Sequence, residues 1–216
     1  MAGRLVAILL LLAGTGFVNG GQNAGASTSG PTLTETTEWI ASHLVAITHG
    51  SARTVVTYTW KKGKPPKESE RQTTNTHESV VSAKFSGCSL TLEQLTKGDD
   101  YSVFTTSIIP IGRLTKASWN VEKHDPTTTE GAEESSTTTV VPASVTIFKL
   151  EASTNVVSYR RKSTGSIPLE WITTPFEGTV STLTIDSDDA EMPPRLVNAF
   201  NRAIQLCHVD AKPEPF

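Results

Sequence analysis

The sequence predicts an α+β fold: a bent antiparallel sheet, or a partly open barrel, closed by a C-terminal helix, with an N-terminal helix packed on it. Three observations carry this. Apolar residues recur at helical spacing near both ends, in "TLTETTEWIASHLVAITHG" and "RLVNAFNRAIQLC". Between these segments the period changes to two, over about eight or nine short runs rich in Thr and Val. Turn residues punctuate those runs at short intervals, and no repeat of fixed period appears.

Taken in order, residues 1–20 read as a signal peptide. Arg4 supplies the positive charge, and Leu5 to Val18 is an uncharged apolar run, short of the roughly 20 residues that span a bilayer. Cleavage after Gly20, or as late as Ala26, fits the small-residue rule and leaves 190 to 196 of the 216 residues. A retained membrane anchor is the alternative, and the shortness of the run speaks against it. Residues 21–31, "GQNAGASTSGP", form a flexible leader. Residues 32–210 then read as one α+β domain, followed by a tail, 211–216.

The first helix starts at a capping box, Thr32 with Glu35, and carries Leu33, Thr36, Ile40, Leu44 and Ile47 on one face, with Gly50 as its stop. Strands are expected at 54–60, 79–85 (Val81, Ala83 and Phe85 in phase), 88–94 (Cys88, Leu90 and Leu92 in phase), 101–109, 117–123, 140–151, 155–160, 169–173 and 180–186. Gly87 marks a bulge or sharp bend. The charged stretch 61–71 reads as an exposed loop. The segment 124–139, "HDPTTTEGAEESSTTT", has little to bury and is expected to be a mobile loop. In the last helix Leu196, Ala199, Phe200, Ala203, Leu206 and Cys207 share a face, with Pro194 in the first turn.

Composition narrows the function. Net charge is −3, a poor match to nucleic acid. After signal removal no stretch is apolar enough to span a membrane. His43, His49, His77, His124 and His208 show no metal spacing. No nucleophile elbow, phosphate loop or paired-carboxylate signature appears, so no catalytic, cofactor or metal residues are assigned. Asp99–Asp100 and the acidic run Asp186 to Asp189 read as turn and cap residues, with calcium binding as the rival. Lys61, Lys62, Lys64 and Lys67, joined in space by Arg160, Arg161 and Lys162, could form an anion-binding patch.

Two cysteines remain. Cys88 is in phase with Leu90 and Leu92, and Cys207 lies on the inner face of the last helix. Exported proteins with two such residues most often join them. A disulfide between Cys88 and Cys207 is therefore expected, with two buried free thiols or redox chemistry as the alternatives.

The order of an N-terminal helix with "WI", a β-rich body containing "FSGCSLTL" and a final helix with "AFNRAIQLC" resembles a group of small exported bacterial proteins of uncharacterised function. These share an S-G-C strand and an A-F-x-x-A-I-x-L-C ending. The resemblance implies this architecture and a secreted or periplasmic location, and brings no catalytic residues. Seven or so antiparallel strands with a capping helix is also the plan of pleckstrin-homology-like domains, by analogy. The functional expectation is a non-catalytic binding or interaction module of the cell envelope, its partner a protein or small ligand. A hydrolase-type enzyme with a site of dispersed residues, and a purely structural envelope protein, are the alternatives. A pocket with a histidine and a carboxylate in contact would favour the enzyme.

Overall fold

The computed structural model describes residues 30–165 and 176–210, the side chains of the last two excepted. The signal segment 1–20, most of the leader 21–31, the strand expected at 169–173 and the tail 211–216 lie outside those residues.

Thr32 opens the first helix, α1 (Leu33–Leu44), through the expected capping box. The Glu35 amide donates to the Thr32 hydroxyl at 3.3 Å, and the Thr32 amide donates to the Glu35 carboxylate at 2.8 Å. Thr36, Ile40 and Leu44 are buried on one face. Gly50 is not the stop. The helix ends at Leu44, and the chain is extended from Thr48, where pairing with Ser79 captures it. The β-branched residues Val45, Ile47 and Thr48 suit a strand better than a further helical turn.

The strands are β1 (Thr48–Thr59), β2 (Lys67–Ser86), β3 (Ser89–Gly98), β4 (Tyr101–Pro110), β5 (Leu114–Lys123), β6 (Thr127–Glu130), β7 (Glu134–Val141), β8 (Ser144–Ala152), β9 (Val157–Gly165), β10 (Glu177–Val180) and β11 (Thr182–Ser187), with the closing helix α2 at Met192–Asp210. Eight strands pair antiparallel in the order β10-β9-β4-β3-β2-β1-β7-β6, and β11-β8-β5 form a second sheet. The α+β class and the helix at each end are as expected. The barrel is not confirmed: among the described residues neither sheet closes on itself, and three strands leave the main sheet to pair among themselves.

The long strand β2 divides the main sheet. Its residues Lys67 to Ser79 pair with β1, whereas Thr76 to Ser86 pair with β3. Only four positions are shared, so the sheet steps sideways there. One part, the body, holds the second half of β2 with β3, β4, β9 and β10. The other, the wing, holds the first half of β2 with β1, β7 and β6. Between Ser51 and Thr76, and between Thr127 and Val141, no residue is buried. The core sits against the body: Val80, Leu90, Leu92, Ile109 and Val157 cluster with Ile40 and Leu44 of α1, Leu196 and Phe200 of α2, and Phe148, Leu150 and Ile185 of the second sheet. Each such side chain contributes roughly 1.5–3 kcal/mol on burial.

Three expectations fail for physical reasons. The segment 124–139 is not a loop. It supplies the β6–β7 hairpin, and β7 runs beside β1 from Ala52↔Val141 to Thr59↔Glu134. Its threonines offer no core but favour strands, and β1 presents an unpaired edge for them to complete. The charged stretch 61–71 likewise becomes strand from Lys67. Finally, Val81 does not share a face with Ala83. A bulge between Val80 and Ser82 shifts the phase, burying Val80 and leaving Val81 46% exposed. Gly87, at φ 54°, turns the chain between Ser86 and Ser89.

Asp189 starts α2, its carboxylate accepting from the amides of Glu191 and Met192. Leu196, Phe200, Ala203, Ile204 and Cys207 are buried along the helix. Phe200 lies 5.2 Å from Phe148. Asn201 bonds the amide and carbonyl of Ala117, covering part of the β5 edge as a neighbouring strand would. Cys207 is joined to Cys88 by a disulfide, with Cα atoms 5.7 Å apart. The expected bridge therefore ties the last helix to the turn that leads into β3.

Candidate functional site

A recess of about 580 Å³ opens where the wing, the body and the second sheet meet. Pleating puts alternate residues of β1 on its floor, namely His49, Ser51, Arg53 and Val55. The antiparallel register sets Glu78, Thr76, Thr74 and Gln72 of β2 opposite them. Tyr101, His124, Pro142 and Asp186 complete the rim from four further places in the chain. Tyr101 reaches it over Gly98, where a Cβ would collide with the tyrosine ring.

His49 and Glu78 face each other across the β1–β2 ladder. Asp188, just past β11, fixes the histidine: His49 Nδ1 lies 2.8 Å from its carboxylate, which also accepts from the Gly50 amide at 3.1 Å. His49 is only 7% exposed. Among the described residues its Nε2 has no hydrogen-bond partner, and the ring lines the recess. A carboxylate on one imidazole nitrogen sets the orientation of the ring and what the other nitrogen offers.

The two carboxylates in the recess are held above their ordinary range. Burial is the main cause for Glu78, followed by the negative charge of Asp186, with His49 opposing. Burial also raises Asp186, helped by Glu122 and opposed by His49, His124 and Lys149. Neither carboxylate has a hydrogen bond or ion pair among the described residues; Lys149 pairs instead with Glu122, at 3.9 Å. Desolvated groups of one sign gathered in a recess with a positioned histidine mark a candidate site.

The acidic run Asp186–Asp189 thus divides. Asp189 is the cap residue that the sequence suggests, Asp186 lines the recess, and Asp188 holds His49 from behind it. Asp99 is a turn residue, bonding the backbone and side chain of Asn75. His43 is structural: its Nδ1 lies 2.8 Å from the Trp39 carbonyl, its ring stacks on Trp39, and Arg195 covers that tryptophan. The basic groups do not converge. Lys61 to Lys67 stand at the outer end of the β1–β2 hairpin, and β9, with Arg160 to Lys162, is separated from β2 by β3 and β4. Arg160 is paired with Glu177. Among the described residues no group of three or more His, Cys, Asp or Glu is disposed to hold a metal ion, and no helix is long and apolar enough to cross a membrane.

Sequence reasoning did not single out Glu78; it took Asp186 for a turn or cap residue and found no metal spacing at His49. One signal was present: Glu78 is a carboxylate two residues before Val80, on a strand about to enter the core. Its meaning depends on register, which brings His49 opposite and β11 alongside. No family model, curated protein or solved structure matches the chain.

Proposed function

We propose that this is an exported, non-catalytic binding module of the cell envelope, and that the recess around His49 is its ligand seat. The carrying observation is His49 itself, buried, oriented by Asp188 and with no partner for Nε2 among the described residues, in a recess lined by two desolvated carboxylates. Such groups lower stability unless something uses them. Export rests on the signal-like start and is supported by the disulfide. The resemblance to small exported bacterial proteins, and the pleckstrin-homology-like analogy of a ligand seated at a sheet mouth, belong to this proposal alone. Its test is a fragment screen followed by backbone amide NMR. Binders should shift Gly50, Ser51 and Thr76 together, whereas hits that leave those amides unmoved would place the ligand seat elsewhere.

A hydrolytic reading has one observation in its favour. An Asp–His pair with a free Nε2 is what a general base requires, and Ser51 lies on the same face two residues on. No hydrogen bond joins Ser51 to His49 among the described residues, which favours binding. Labelling of Ser51 by a fluorophosphonate, lost in His49→Gln, would reverse that choice.

A further inference from the structure

We infer that the recess takes a ligand bearing an ammonium group, seated between Glu78 and Asp186 with His49 Nε2 as a third acceptor. This rests on the recess being the ligand seat.

The charged and titratable groups around that point are few. β1 contributes His49 and Arg53, β2 Glu78, β4 Tyr101, the chain after β5 His124, and β11 Asp186. Asp188 stands behind His49, and Glu122 and Lys149 act on Asp186 from the second sheet. Arg53 is exposed and lies four residues along β1 from His49, about 13 Å at strand rise. The inner end of the recess is therefore acidic, and the outer end carries the positive charge.

An anion at the inner end would add a third negative charge to two that already repel. A neutral ligand would leave both carboxylates unpaired and desolvated. A metal ion needs a tighter ligand set than these residues form. An ammonium group has three donors, and the site offers two carboxylates and an imidazole nitrogen that have no hydrogen-bond partners among the described residues. The ligand's far end would lie toward Arg53, which suits a molecule with an acidic or polar group remote from the amine.

Binding should release protons. Both carboxylates hold theirs above the ordinary range in the free protein, and a cation between them favours the ionised forms. Affinity should therefore fall as pH drops.

The experiment uses backbone amide NMR with three probes of one size, n-butylammonium, butyrate and 1-butanol, against a sodium chloride control. At pH 7.5, butylammonium should shift Gly50, Ser51 and Thr76 saturably. Binding should weaken about fivefold in Glu78→Gln and again in Asp186→Asn, the scale of losing one weakly screened charge contact, and parent binding should weaken when the pH is lowered to 5.0. Unchanged shifts elsewhere in each spectrum would show that the variants are folded. If butyrate or butanol shifts those amides as strongly, the ammonium preference is overturned and the recess remains the seat. If no probe shifts them, both readings are overturned.

Discussion

At the residue scale, the recess should carry a cost in stability. Glu78 and Asp186 have folded-state proton affinities raised above their unfolded values, chiefly by burial. A carboxylate of that kind favours folding while protonated. The advantage is lost as pH rises from the unfolded pKa through the folded one, because the folded state must then hold an unsolvated charge. Replacing either by its amide should therefore raise Tm at pH 7 by about 2–4 °C, the rough scale of 1 kcal/mol in a chain of this size. The gain should shrink as pH falls toward 4, because the raised proton affinities let the parent carboxylates neutralise earlier in the folded chain than in the unfolded one. Melting curves across that range test it, and a variant less stable at every pH would show that the carboxylates hold the fold together. A stabilising substitution at a recess-lining residue is the usual mark of a site kept for use.

At the element scale, the wing is held by ladders and not by a core. Thr54 and Thr73 join hydroxyls across β1 and β2, and Thr128 and Thr137 across the β6–β7 hairpin. Such pairs contribute roughly 0.2–1 kcal/mol each. Deleting Thr127 to Thr138 should therefore leave the body folded, since no residue there is buried. It should also strip β7 from most of β1 and leave a long edge exposed, which invites pairing between copies. Sedimentation velocity should show concentration-dependent association of the deletion variant, with the parent unchanged; a variant sedimenting as the parent does would mean that the β1 edge is protected in another way. The hairpin also marks the limit of what was legible beforehand. Elements with a buried face announced themselves: Ile40 and Leu44 in α1, Leu90 and Leu92 in β3, Phe200 and Cys207 in α2. The wing has no buried face, so 61–71 and 124–139 looked like loop, although the run 54–60, largely β1, read as a strand. The recess was illegible for a related reason. Alternation puts His49 in phase with Ser51 and Arg53, but pairing sets Glu78 opposite, and the second sheet's connection brings Asp186 and Asp188 alongside. Those placements lie in register and topology, which periodicity does not encode.

At the scale of the whole molecule, α2 joins the parts. It packs on α1, on β5 and β8, and on the 3₁₀ turn Ile111–Arg113. It holds the β5 edge through Asn201 and is bonded to the body through Cys207. The residue that positions His49 lies just before it: Asp188 adjoins the cap residue Asp189, and Asp186 of the recess is two residues further back, so the seating of the helix and the shape of the recess are linked. The disulfide spans 119 residues. In the chain-entropy model a loop of that length gives about 4–5 kcal/mol, an upper figure because residual structure in the unfolded chain reduces it. Reduction of the native protein, or the double substitution Cys88→Ala with Cys207→Ala, should lower Tm by about 8–20 °C at the 2–4 °C per kcal/mol expected for this length. The two routes check each other, because reduction leaves both sulfurs in place and the double variant removes them from the buried face. Intact mass before and after alkylation confirms the redox state of each sample. If both forms melt within about 3 °C of the parent, the apolar face of α2 holds the helix unaided, and the bridge adds little beyond what Leu196, Phe200 and Ala203 already provide.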